Sequence, residues 1–238
     1  MDSLQVVVVA SPFSNLPSLY EIDPDADVLL LVPPHHQFLA LWHEPRVDGF
    51  NGVNGVKQTS AAAAAARTGL RIKVSSKHLA LASRVFKNKL QFGSSQATRQ
   101  SDGRVHLQLA EGFDPTAVSI VMNVIHGRGS KVPKSVNLET LVQIALFVDR
   151  FQLLDSVDVY AERWISKLEG RLPTTYNRDL VLWLYISHVF RHADIFKAVT
   201  KTAAAQTAGP INTLGLPIRE KIIRKHSPYI PPPYIVIR

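Results

Sequence analysis

The sequence predicts an α+β fold: a small three-stranded sheet packed on a helical cluster, continued by a C-terminal helical extension. Three observations predict it. Short apolar or alternating runs occur at Val28–Val32, Leu70–Val74 and Val105–Leu109. Apolar residues recur at helical spacing from Lys77 to Leu90 and again from Val118 to Leu168. Hydrophobic residues make up 46% of the 238 and charged ones 19%, a balance that builds a core.

Residues 1–24 contain Pro12, Pro17 and Pro24 with no clear period and read as a loose lead-in. Asp23-Pro24-Asp25-Ala26-Asp27 reads as a turn, and Val28–Val32 after it as a buried strand stopped by Pro33-Pro34. Residues 33–69 hold a Gly/Asn-rich stretch and the six alanines Ala61 to Ala66, a low-complexity insertion. Leu70-Arg71-Ile72-Lys73-Val74 alternates as a half-buried strand does. Ser75-Ser76 can cap a helix from Lys77 to about Leu90, with Leu79, Ala82, Phe86 and Leu90 on one face and Lys77, Arg84 and Lys87 opposite. Gly93 to Gly103 is polar loop, and Val105 to Leu109 the third strand.

Asp114-Pro115 starts a helix, a cap followed by proline at the first helical position, and Gly127 ends it. Asn137 caps another, burying Leu138, Leu141, Ile144, Ala145 and Val148. A helix from Asp155 buries Val157, Ala161, Trp164, Ile165 and Leu168. Beyond Pro173, helices are expected over Asn177–Phe190, apolar nearly all round, and Asp194–Ala205. Thr207–Pro217 reads as a linker, a short helix runs on to Lys225, and residues 226–238 form a Pro-rich tail.

The domain plan is therefore a lead-in at 1–24, a domain at 25–168 interrupted at about 33–69, a helical extension at 169–225, and the tail. The absence of cysteine excludes disulfides, thiolate metal sites and cysteine nucleophiles. The longest apolar runs fall well short of the roughly 18 residues of a membrane helix, so no membrane role is expected. An intracellular protein, cytoplasmic or nuclear, is expected.

Charge is unevenly placed. Residues 1–66 carry two basic and seven acidic side chains, whereas residues 67–104 carry nine basic ones and a single acid, Asp102. The candidate interaction surface is Lys73, Lys77, Arg84, Lys87, Lys89 and Arg99. Such a cluster is either the solvated face of an amphipathic helix or a surface for an acidic partner or nucleic acid.

Candidate chemistry is sparse. His188 and His192 are four apart, but Val189 stands where a zinc protease needs glutamate. His35, His36 and His43 lie in the insertion near Glu44 and Asp48. His126-Gly127-Arg128-Gly129-Ser130-Lys131 lacks the full phosphate-loop spacing and reads as a helix-ending turn. No Gly-x-Ser-x-Gly elbow occurs. No catalytic residue, cofactor or metal is expected.

The succession of elements resembles the BTB/POZ family. Asp27-Val28-Leu29-Leu30-Leu31 is similar to its opening strand, and Ile72-Lys73-Val74 through Ser83-Arg84-Val85-Phe86 to its second strand and first helical arm. Val105–Leu109, Asp114 to Gly127, and Leu141 to Leu154 are similar to its third strand and subsequent helices. Ala161-Glu162-Arg163-Trp164, Thr175-Tyr176-Asn177 and Leu182-Trp183-Leu184 resemble the filamentous-fungal branch. The resemblance covers most of 25–168 outside the insertion. It implies a non-enzymatic protein-interaction module: an adaptor, a self-associating domain, or a docking partner of cullin-type ubiquitin-ligase scaffolds. Scaffold docking in many relatives uses an apolar-x-Glu element after the first helix, and Gln91 to Arg104 has no glutamate. Family dimers that exchange an N-terminal arm need an amphipathic helix that residues 1–24 do not offer. The alternative reading is a nucleic-acid-associated regulator using the basic face of the helix 77–90 and the basic tail.

Overall fold

The computed structural model describes residues 19–34, 39, 42, 69–91, 99–207, 210–220 and 222. The insertion's histidines, its alanine run and the Pro-rich tail lie outside the described residues. The chain divides into two compact units, Met1–His36 with Asn51–Lys131, and Gln37–Phe50 with Val132–Arg238. The division falls within 25–168, between Lys131 and Val132.

The first unit is α+β. Its sheet has four strands, not three, in the order β1-β3-β2-β4: β1 (Leu19–Glu21), β2 (Val28–Val32), β3 (Leu70–Val74) and β4 (Val105–Gln108). The unexpected strand is β1, which pairs in parallel with β3. Three residues are too few to show a period, so a lead-in read by pattern hides it. β2 and β3 are antiparallel, and β4 runs parallel to β2. Gly69, just before β3, sits where a Cβ would meet the Val32 carbonyl oxygen at 2.8 Å, so the pairing of strand ends requires glycine. Leu70, Ile72 and Val74 are buried, as alternation requires, while β2 is buried at Val28, Leu29, Leu30 and Val32.

The helix expected from Lys77 to Leu90 is two helices, α1 (Ser76–Ala82) and α2 (Arg84–Leu90). Ser83 breaks it. Its backbone is extended (φ −142°, ψ 122°), and its hydroxyl accepts the Phe86 N–H at 3.1 Å. A serine hydroxyl that caps one helix competes with the backbone bonds that would prolong the helix before it. Ser75 stands at the N-cap of α1 but makes no side-chain cap there. Asp27 caps instead: its carboxylate accepts the Ser76 N–H at 2.7 Å and the Ser76 hydroxyl at 2.5 Å. Helix α3 (Pro115–Ile125) starts at the expected cap, Asp114 accepting the Ala117 N–H at 2.8 Å, and ends at His126 before Gly127 at φ 66°. It packs against β3 and α1.

The second unit, over its described residues, is helical: α4 (Leu138–Phe151), α5 (Leu154–Leu168), α6 (Arg178–Val189) and α7 (Ala193–Gln206). Asn137 and Asn177 cap α4 and α6 through the Thr140 and Leu180 N–H groups at 2.8 and 2.9 Å. Helix α6 packs against α4 and α7 and is buried on every side from Leu180 to Ser187, as its all-round apolar sequence demands. Trp164 of α5 is fully buried, its indole N–H donating to the Pro133 carbonyl at 2.9 Å. The expected linker is a docked strap: Ile211, Leu214, Leu216 and Ile218 are all buried. Among the described residues no helix is long and apolar enough to cross a membrane.

Candidate interaction surface

The six basic residues singled out from the sequence divide by element. Lys73 lies on β3 opposite Glu21 of β1, and the two side chains pair at 2.7 Å. That hydrogen bond and charge hold the Glu21 carboxyl below its ordinary range. Arg99 bridges to Val105 beside β4 and donates from a guanidinium nitrogen to the Gly103 carbonyl at 2.7 Å. Arg99, β4, β2 and β3 succeed one another across the sheet, so three strand spacings, roughly 14 Å, separate Arg99 from β3. Lys73 and Arg99 thus have different partners on different parts of the sheet.

The other four belong to the helix pair. Lys77 is exposed on α1, Arg84 and Lys87 are exposed on α2, and Lys89 is half-buried. Helices α1 and α2 pack on each other, joined only by the single residue Ser83. From Ser76 to Leu90 there is no aspartate or glutamate. Phe86, the aromatic of this pair, is fully buried and offers no stacking face. Leu81 of α1 is 89% exposed, the most exposed large apolar side chain among the described residues. It stands four residues after Lys77 and three before Arg84. The sequence places Leu81 one turn after Lys77, on the wet side of the helix, where a single apolar residue carries no signal of its own.

The N-terminal edge of the helix pair is held by side chains from distant parts of the unit. Burial pushes the Asp27 carboxyl up, but the Ser76 hydroxyl and N–H outweigh it and hold it below the ordinary value. His126, at the end of α3, accepts the Ser75 N–H on Nε2 at 3.0 Å. Its Nδ1 lies 2.8 Å from the Met122 carbonyl, which can only accept, so the ring is the neutral Nδ1–H tautomer. The ring stacks on His78 of α1 at 4.8 Å.

In the second unit, helix α6 ends at Val189 and Arg191 takes a left-handed backbone (φ 55°), so His188 and His192 do not share a helix face. His188 lines a cleft of about 710 Å³ with Asp149, Asp155, Arg191, Phe196 and Arg219. Burial, then the Arg219 charge, pushes its imidazole down. His192 faces Glu162 at 3.9 Å. Among the described residues no group of three histidine, aspartate or glutamate side chains converges to hold a metal. Neither the known-family models nor the curated proteins compared with the chain match it.

Proposed function

We propose that the chain is a non-enzymatic protein-interaction module of BTB/POZ type, an adaptor or self-association domain resembling the filamentous-fungal branch. The observation that carries this reading is the order of elements in the first unit. An antiparallel strand pair opened by Asp27 leads into two short helices, then a strand parallel to the first, then a proline-started helix, on the residues that carry the resemblance. Interaction proceeds by burial of apolar surface and matched charge on a rigid scaffold.

Affinity purification of the full chain from its native cell, with sedimentation velocity on the purified protein, tests it. The expected result is a stoichiometric protein partner or a self-associated species. A chain that sediments as a monomer and captures no protein stoichiometrically overturns the reading. A second reading, a nucleic-acid-associated regulator, is favoured by the acid-free helix pair and by the basic residues from Arg219 onward. It requires duplex binding that falls steeply with salt; no retention on DNA at low salt overturns it.

A further inference from the structure

We propose that the exposed surface of the helix pair, with Lys77 and Leu81 one turn apart on α1 and Arg84 and Lys87 one turn apart on α2, docks an acidic protein segment that carries an apolar anchor side chain. This names the partner class of the interaction module proposed above and rests on that reading.

The argument begins with charge. The pair carries no acid of its own between Ser76 and Leu90. Asp27, the carboxylate nearest its start, is turned onto Ser76 and spent as a helix cap. Glu21 is occupied by Lys73, and Asp102 by His106 at 2.9 Å. Among the described residues no ion pair neutralises Lys77, Arg84 or Lys87, and all three are exposed. A two-fold interface sets a patch against its own copy. Through this face it would oppose cation to cation, so a second copy of the chain is the wrong occupant and an acidic partner the complementary one.

Leu81 decides between the two kinds of acidic partner. Nucleic acid presents phosphates along its backbone and is gripped by an entering helix or by aromatic stacking. Here α1 and α2 are seven residues each, and Phe86 is buried. A leucine 89% exposed one turn from Lys77 has no use for phosphate. It matches an apolar side chain within a run of aspartate and glutamate, which loses water on docking while the surrounding charges set its register.

The test uses the full chain and a fluorescein-labelled peptide in which glutamate and aspartate flank leucine and phenylalanine, read by anisotropy. A control peptide replaces the apolar residues by serine, and a duplex DNA of mixed sequence is a second control. Because all four side chains are exposed, Leu81→Ser and the triple variant Lys77→Glu, Arg84→Glu, Lys87→Glu are expected to keep the wild-type circular dichroism. The expected result is saturable binding of the apolar-acidic peptide, weakened about tenfold or more by the triple variant and by about five- to tenfold by Leu81→Ser. The serine control then binds as weakly to wild type as the full peptide does to Leu81→Ser. Equal binding by wild type and both variants overturns the proposal, as does tighter binding of duplex DNA than of peptide at physiological salt. Self-association abolished by the triple variant overturns it too, since it would place a second copy on this face. Each of these failures leaves a stoichiometric partner or oligomer in place, whereas failure of the module reading removes both.

Discussion

His126 joins three parts of the first unit at one imidazole. It closes α3 through the Met122 carbonyl, receives the backbone N–H that precedes α1, and stacks on His78 within α1. Both nitrogens are committed, one as donor and one as acceptor, so a second proton would set N–H against N–H. Burial, the largest influence, lowers the pKa; the Met122 bond and Asp23 oppose it, while His78 and Arg128 add to it. Linkage gives the sign. A histidine depressed in the fold binds fewer protons there than in the unfolded chain. Its contribution is complete above the ordinary value of about 6.5 and is lost as pH falls from there towards the depressed folded value. The protection of the Ser75 amide, its hydrogen-exchange rate taken relative to the intrinsic rate at each pH, is therefore expected to fall between neutral and mildly acid pH. In His126→Gln that dependence should flatten. A slope unchanged in the glutamine variant would assign the loss to another group.

Among the elements, the helix starts show best what sequence does and does not reveal. Asp114, Asn137 and Asn177 cap α3, α4 and α6 from the position before each helix, and each is readable because cap and helix are adjacent in the chain. Helix α1 is different: its cap, Asp27, is 49 residues away, brought there only when β2 and β3 pair. No local pattern encodes that. Ser83 is a favoured N-cap residue, but Phe86 stands where a capping box has glutamate or glutamine, so the sequence signalled the break only weakly. The apolar spacing of Leu79, Ala82, Phe86 and Leu90 masked it. The same break divides the cations between two helices, so the candidate surface was half legible: its charges, not its shape. Because Asp27 offers two charge-assisted bonds where a neutral cap offers one, Asp27→Ala is expected to cost about 2–3 kcal/mol. Asn137→Ala should cost about 1 kcal/mol. Urea unfolding monitored by circular dichroism measures both. Equal losses would show that Asp27 acts as an ordinary cap.

At the scale of the whole chain, strands β2 to β4 and the four helices of the second unit were legible because each carries a local signal: alternation in β3 and β4, a continuous apolar run in β2 and α6, and helical spacing or a cap in the rest. The pieces that lack one, β1 and the strap from Ile211 to Ile218, were not. The strap has glycine and proline at Gly209, Pro210, Gly215 and Pro217, the punctuation of a linker. Yet Leu214, Leu216 and Ile218 are buried, on either side of a left-handed turn at Leu214 and Gly215. It is fastened by its backbone as well: the Asn212 N–H donates to the Tyr176 hydroxyl at 3.0 Å, and the Leu216 N–H to the Thr213 carbonyl at 2.9 Å. Leu214, fully buried, holds a left-handed backbone (φ 57°) that leucine adopts at a cost of about 1–2 kcal/mol. The burial of its side chain must outweigh that strain. Leu214→Ala keeps the strain and loses the side chain, so about 2–5 kcal/mol should be lost. Leu214→Gly loses the same side chain but relaxes the backbone, and should be less damaging than alanine by about 1 kcal/mol. All three tryptophans, Trp42, Trp164 and Trp183, belong to the second unit. Tryptophan emission during urea unfolding therefore reads these losses directly. Alanine and glycine variants with wild-type midpoints would mean that the strap is a passive tether; glycine worse than alanine would mean that the left-handed turn carries no strain.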